Sequence, residues 1–194
     1  MHKRETLNCH NNITIALENM KKIAYLDLIN ASPSLNEIKQ LPRRPVRILL
    51  DNVRSLYNVG SIFRTSDAAG IDKIYLCGIT GRPPRAEIHK AALGAEQSVP
   101  WEYHQNPVEI IQQLKLEGHR IVILEHTDQP HFYHEASYEF PLCLVVGHEI
   151  TGVSDEVVEL ADMAIEIPMF GIKQSLNVAV AYGIAIYEII KQYN

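Results

Sequence analysis

The run PLCLVVGHEITGVS, Pro141 to Ser154, decides how the rest of the sequence is read. Leu142 to Val146 are apolar on consecutive positions. A strand with one solvated face alternates, whereas an unbroken apolar run is a strand buried on both faces, as in a parallel sheet covered by helices. Gly147 ends the run, so backbone or ligand can approach closely there. Ser154, followed by Asp155 and Glu156, has the pattern of an N-capped helix with an acidic first turn, predicted over 154–162. Capping accounts for Ser154. It leaves Glu149, outside that helix, without a role.

The same pattern extends outward. VRILLDNV (46–53), KIYLCG (73–78), RIVILEH (120–126) and AIEIPM (164–169) read as strands, and SVPWEYH (98–104) as a shorter one. Between them fall predicted helices over 60–70, stopped by Gly70, over 86–95, over 107–118 between Pro107 and Gly118, and over 174–192. This alternation makes the class α/β, a parallel sheet flanked by helices. Upstream, Ile13, Leu17, Met20 and Ala24 at helical spacing predict a helix over about 12–29, followed by the linker ASPSLNEIKQLPRRP. The expected organisation is an N-terminal helical extension and linker, 1–43, and a single domain, 44–194.

Composition narrows the function. With 194 residues and 46% hydrophobic side chains, the chain can bury a proper core. A net charge of −5 excludes coating nucleic acid by bulk charge and leaves room for a local basic patch. Cys9, Cys77 and Cys143 form no C-x-x-C, so neither disulfides nor a zinc site is expected, and a cytoplasmic location is. The histidines are scattered without metal spacing, so no metal is expected. No apolar run reaches membrane-spanning length, and MHKRETLNCHNN lacks a signal-peptide core. The common dinucleotide and nucleoside-triphosphate fingerprints are absent.

Ligands of open parallel sheets bind beyond the carboxyl ends of the strands. There, RSLYNVGSIFRT places Asn58 and Gly60 at a predicted helix start, where free N–H groups can hold an anion, with Arg64 about one turn inside. A capped helix with a surface arginine would read the same way. FGIKQSLN places Ser175 and Asn177 at the mouth of the apolar helix VAVAYGIAIYEII, which is expected to be buried or packed on another chain. Ser and Asn cap helices well. A polar pair at a buried mouth also needs partners, since an unpaired buried amide costs about 1–3 kcal/mol. Glu149, a backbone group or a ligand could serve.

NVGSIFRT (58–65), VVGHEITGVS (145–154) and IPMFGIKQSLNVAVA (167–181), in this order, resemble the three motifs of the SpoU (TrmH-like) RNA ribose methyltransferases of the SPOUT superfamily. HKAALGAEQSVPW (89–101) is similar to the region after that family's second strand, and the resemblance covers about residues 44 to 192. It implies a parallel α/β sheet with a C-terminal trefoil knot, a homodimer, S-adenosylmethionine as cofactor, and methylation of a ribose 2′-hydroxyl in tRNA or rRNA. It assigns catalysis to Asn58, Arg64, Glu149, Ser175 and Asn177, and the cofactor wall to Leu124, Gly147, Ile167, Ser175 and Leu176. The family's usual mechanism makes the motif-one arginine a base. A guanidinium holds its proton with a pKa above about 12, and a bound phosphate favours the charged form further. Arg64 is therefore read as a phosphate clamp, with Glu149 orienting Arg64 or Asn177, and Asn58 and Ser175 completing the network. RNA contact is expected from Arg64, from Arg82 and Arg85 in GRPPR, and from Arg43 and Arg44 in PRRPVR. His148 and Ile150 depart from the residues common in relatives, which bears on substrate choice. The competing readings are a SPOUT base methyltransferase, a SPOUT-fold RNA-binding protein without catalysis, and a small-molecule α/β enzyme. The SLN motif argues against the first and the full set of motif residues against the second.

Overall fold

The computed structural model describes residues 20–193. The chain divides into two compact units, Met1–Ser34 and Leu35–Asn194. The first contains α1 (Tyr25–Ala31), which has no buried residue and exposes Tyr25, Leu26 and Leu28. Residues 20–24 are not helical, so the predicted 12–29 helix is, where described, a shorter one that begins at Tyr25. Ala24 at its N-cap has no side-chain acceptor to extend it. Ile13, Leu17 and Cys9 lie outside the described residues.

In the second unit, α2 (Leu35–Ile38) precedes β1 (Arg44–Asp51), α3 (Leu56–Ala69), β2 (Ile71–Cys77), α4 (Ala86–Ala92), α5 (Ala95–Ser98) and β3 (Trp101–His104). Then follow α6 (Pro107–Leu116), β4 (Arg120–Leu124), β5 (His131–Phe132), β6 (Leu142–Val146), α7 (Asp155–Val158), β7 (Met163–Glu166) and α8 (Val178–Tyr193). The strands form one seven-stranded sheet in the order β3-β2-β1-β6-β4-β7-β5, parallel at every pairing. β6 is central and all five of its residues are buried, as the unbroken apolar run requires. Its alternate side chains serve two layers. Leu142, Leu144 and Val146 pack with Ile62 and Phe63 of α3 and with Tyr182 and Ile186 of α8. Cys143 and Val145 pack with Ile110, Ile111 and Leu114 of α6. Burial pushes the thiols of Cys77, to about 12, and Cys143 upward, so both are inert core residues.

Several boundaries differ from expectation, each for a local reason. α3 begins at Leu56, because the Ser55 side chain caps it by accepting from the Asn58 amide at 3.4 Å. Gly60 is therefore inside the helix, and its missing Cβ admits α4: a Cβ there would lie 2.5 Å from the Ile88 carbonyl oxygen and 2.7 Å from Ala91 Cβ. The predicted 86–95 helix breaks at Leu93 and Gly94, which both adopt positive φ, and the predicted 98–104 strand shortens to Trp101–His104, with Ser98 ending the helical turn α5. The 154–162 helix shortens to the single turn α7, and α8 starts at Val178 rather than Gln174. β5 pairs with the β7 edge through only two residues, too short a run to stand out in the sequence.

α3 and α8, which carry two of the three motifs, are clasped in the interior. Tyr182 is fully buried on α8, and its hydroxyl lies 2.7 Å from the Ser66 hydroxyl on α3. We predict that Tyr182→Phe, which leaves the Ser66 hydroxyl without this partner, lowers stability by about 1–2 kcal/mol. Urea denaturation checks this. An unchanged midpoint would show that the clasp contributes nothing.

Candidate active site

Beyond the carboxyl ends of β4, β6 and β7 the chain encloses a cleft of about 340 Å³. Leu124, Gly147, Ile167, Ser175 and Leu176 all line it, beside Glu149 and Asn177. The backbone after β6 builds one wall by folding back on itself. His148 and Gly152 exchange paired N–H to C=O bonds of 2.9 Å, and any Cβ at Gly147 would overlap the backbone of Gly152 and Val153. The Ile150 and Thr151 amides donate to His148 Nδ1 at 3.1 and 3.3 Å, and the Val153 amide donates to Glu125 Oε2 at 2.9 Å. Ser154 sits at the N-cap of α7, but its hydroxyl does not cap. It donates instead, at 2.6 Å, to Asp51 Oδ2, which also accepts the Ser154 amide at 2.8 Å. This fully buried carboxylate pins the loop to the end of β1.

A chain of three side chains crosses the rim. Glu149 accepts from the Arg54 amide (2.9 Å), the Ser55 amide (2.9 Å) and Asn58 Nδ2 (2.8 Å). The anion at the entry to α3 is thus a side chain of the chain itself, where the sequence reading left room for a ligand. Asn58 Oδ1 in turn accepts from Asn177 Nδ2 at 3.0 Å, and Asn177 Oδ1 caps α8 by accepting the amides of Ala179 (3.0 Å) and Val180 (3.4 Å). Burial by itself raises the Glu149 carboxyl, but the Arg54 and Ser55 amides and the Asn58 side chain outweigh it and hold the group below the usual carboxylate range.

Two expected roles change. Glu149 reaches Asn177 only through Asn58, and it does not touch Arg64. Ser175 lines the cleft but makes no side-chain hydrogen bond among the described residues, so it does not complete the network. Within this one chain the mouth of α8 is exposed: Ser175, Leu176 and Asn177 all face solvent. Arg64 is exposed on α3 and has no hydrogen-bond or ion-pair partner among the described residues.

The other arginines divide by their place on the sheet. Arg82 and Arg85 follow β2 on the carboxyl side and are exposed, with the Arg82 guanidinium 4.0 Å over the Tyr103 ring. Arg43 and Arg44 stand at the amino end of β1, opposite the cleft. Arg43 donates to the Ile71 carbonyl (3.0 Å) and the Ser98 carbonyl (2.6 Å), and Arg44 to the Ala69 carbonyl (2.9 Å). Both donate to backbone carbonyls at this edge of the sheet, away from the cleft. Arg54, not singled out in the sequence, presents an exposed side chain from the same residue whose amide holds Glu149. His126 and Glu166 also line the cleft unforeseen. Their pairing spans 40 residues, and no local pattern announces it.

The profile of the SpoU rRNA Methylase family matches residues 45–187. The chain belongs to the SpoU rRNA methylase family. It is 37% identical over 169 residues to the tRNA (guanosine(18)-2′-O)-methyltransferase of Aquifex aeolicus, covering 87% of this chain and 79% of that protein. The crystal structure of the A. aeolicus TrmH/SpoU tRNA modifying enzyme aligns with a TM-score of 0.74 and 36% identity over 81% of this chain and 80% of that one. The AdoMet-bound rRNA methyltransferase from Sinorhizobium meliloti aligns with a TM-score of 0.72 and 30% identity over 79% of this chain and 59% of that one. Among the described residues of this SpoU chain, no group of three or more His, Cys, Asp or Glu could hold a metal ion, and no helix is long and apolar enough to cross a membrane.

The geometry at Glu149 gives a direct test. Glu149→Gln places an amide where three donors converge, so at least one donor loses its acceptor. We predict a loss of about 1 kcal/mol at neutral pH, at the low end for a lost acceptor because the group is partly exposed. A depressed carboxyl stabilises above its unfolded pKa of about 4.3 and loses that contribution as pH falls through its lower folded value. The difference between variant and parent in urea denaturation should therefore shrink on acidification through that window.

Proposed function

We propose that this chain transfers a methyl group from S-adenosylmethionine to a ribose 2′-hydroxyl of RNA, with tRNA the first substrate to test. The observation that carries this reading is the cleft, lined by residues of the second and third family motifs and tied through Glu149 and Asn177 to Asn58 of the first, on the helix that presents the exposed Arg64. The relatives named above support the choice of RNA and of the ribose hydroxyl. Residues 44–194 are the catalytic domain in this reading, with the trefoil knot formed by its C-terminal part. The chain works as a cytoplasmic homodimer. Val180 and Tyr187 on α8, 53% and 50% exposed, suit the apolar face of such a dimer.

The cleft fits the cofactor. Apolar walls from Leu124, Ile167 and Leu176 suit an adenine, and Glu125 and Glu166 offer carboxylates to a cationic tail. When bound, S-adenosylmethionine supplies an electrophilic methyl group on a sulfonium. The chain's own residues contribute positioning, which can supply a large share of the rate. Arg64 is free to clamp the phosphate beside the target ribose with two parallel N–H donors. The Glu149–Asn58–Asn177 chain fixes the entry to α3 against the mouth of α8, and so fixes Arg64 relative to the cleft. Glu149 is a poor general base, because three donors already occupy its oxygens and hold it ionised.

The test is incubation of the purified chain with unmodified tRNA and isotopically labelled cofactor, then nuclease digestion and mass spectrometry. A labelled 2′-O-methyl nucleoside is expected; methylation confined to a base, or none, contradicts the reading. Arg64→Ala should reduce turnover about 10²-fold or more while cofactor affinity, measured by calorimetry, stays near that of the parent. Arg64→Lys should fail similarly, since an ammonium cannot reproduce the bidentate clamp. Normal turnover by Arg64→Ala removes the clamp. Light scattering at micromolar concentration should give twice the chain mass.

A further inference from the structure

His126, just beyond β4, stands between two acceptors. Its Nδ1 lies 3.0 Å from Glu166 Oε2 at the end of β7, and its Nε2 lies 2.9 Å from the carbonyl oxygen of Gln174. A carboxylate and a peptide carbonyl both need a donor. Neutral imidazole has one N–H and can serve only one of them, leaving a lone pair facing the other oxygen. A proton shared by the His126–Glu166 pair satisfies both contacts at once. Gln174 immediately precedes Ser175 and Leu176, which line the cleft, and it sits in a stretch, 170–177, exposed at every residue. Besides this contact, the only side-chain hydrogen bonds of that stretch among the described residues are Gln174 Nε2 to the Ile172 carbonyl and those of Asn177.

We infer that His126 is a positioning residue for the cofactor: protonated, it clamps the Gln174 backbone to Glu166 and holds the Ser175–Leu176 wall closed on the S-adenosyl group. This rests on the functional reading above and adds a residue and a pH dependence to it. The charged groups around His126 agree. Glu166 faces it from β7, and Glu125, whose Oε1 accepts the His126 amide at 2.9 Å, faces it from the end of β4. Lys173, in the clamped loop, makes no ion pair among the described residues. His148, on the opposite wall, accepts two amides at Nδ1 and so carries its proton on Nε2 when neutral. The hydrogen bond to Glu166, the largest influence, raises the His126 pKa above its ordinary 6.5, against a smaller opposing effect of burial. A raised histidine keeps its interaction below the ordinary value and loses it as pH rises through the shifted one.

The experiment is calorimetric titration with S-adenosylhomocysteine at about pH 6 and about pH 8.5, on either side of the ordinary histidine range. The wild-type chain, His126→Gln and His126→Ala are compared, with thermal melts to establish folding. Wild type should bind about five- to tenfold more tightly at the lower pH, the net worth of about one hydrogen bond at an exposed site. Both variants should bind with the weaker affinity at both pH values, once the ligand's own titration, common to all three, is subtracted. In parallel, imidazole nitrogen NMR of the free wild-type chain should show both His126 ring nitrogens protonated near pH 6. Variants that match wild type at both pH values, or a His126 ring still neutral at pH 6, overturn the clamp while leaving the methyltransferase reading intact. Wild type that binds no S-adenosyl ligand at either pH overturns both.

Discussion

Glu149 joins three parts of the chain at the rim. It stands in the loop after β6, accepts the amides that open α3, and through Asn58 fixes Asn177 at the entry to α8. Helix entries leave N–H groups without intrahelical partners, and these must be satisfied by something. Here one carboxylate and one asparagine satisfy them with charge-assisted or capping bonds, the stronger kinds available. The same bonds hold together the three segments that carry the family motifs. Stability and site geometry therefore rest on the same few atoms, and a substitution at Glu149 acts on both.

The supports behind that rim lie in the interior. Asp51 is fully buried at the end of β1 and accepts both the amide and the hydroxyl of Ser154, besides Asn52 Nδ2 at 2.8 Å. A buried carboxylate is tolerated only when its oxygens are occupied, and these are. The loop that carries Glu149 is thereby anchored on both sides, by Asp51 beyond it and by β6 before it. The Ser66–Tyr182 contact does the same for the two helices. The cleft wall at 170–177 has no such interior anchor, and there a half-exposed histidine supplies the tie.

The sequence announced the layers far better than the joints. Unbroken apolar runs such as Leu142 to Val146 can only be doubly covered strands, so the parallel sheet could be read from them directly. Helix ends were read less well. Ser55 ahead of Leu56 is a capping signal, but Gly60 drew the predicted start four residues inward, when its role is close packing against α4. The 154–162 segment has helical composition, yet only one turn survives, because the Ser154 hydroxyl is drawn to Asp51 and Asp162 turns its carboxylate to the Ile121 amide. The rim residues stood out as polar groups beyond the strand ends, but their pairing did not. Their hydrogen bonds span 91 and 119 residues, and no periodicity records such a distance. His126 gives no such signal, since one of its partners is a backbone carbonyl that has no sequence signature.

The arginines show how a chain of net charge −5 can still meet a polyanion. Arg47 is neutralised by Asp72 at 3.0 Å and Glu117 at 2.6 Å, and Arg43 and Arg44 donate to carbonyls at the amino end of the sheet. Arg64 and Arg85 are exposed without a side-chain partner among the described residues, and Arg82 is exposed and stacks on Tyr103. The two sets differ in place as well as in pairing. The set at the amino edge stitches the sheet, and the set that follows β2 and rides on α3 is left unneutralised. Such a distribution gives a directed field and little bulk attraction. A few point contacts to phosphate fix register and orientation without reading sequence. Discrimination among RNAs must then come from the shape of the surface around the cleft, including the exposed Ile150.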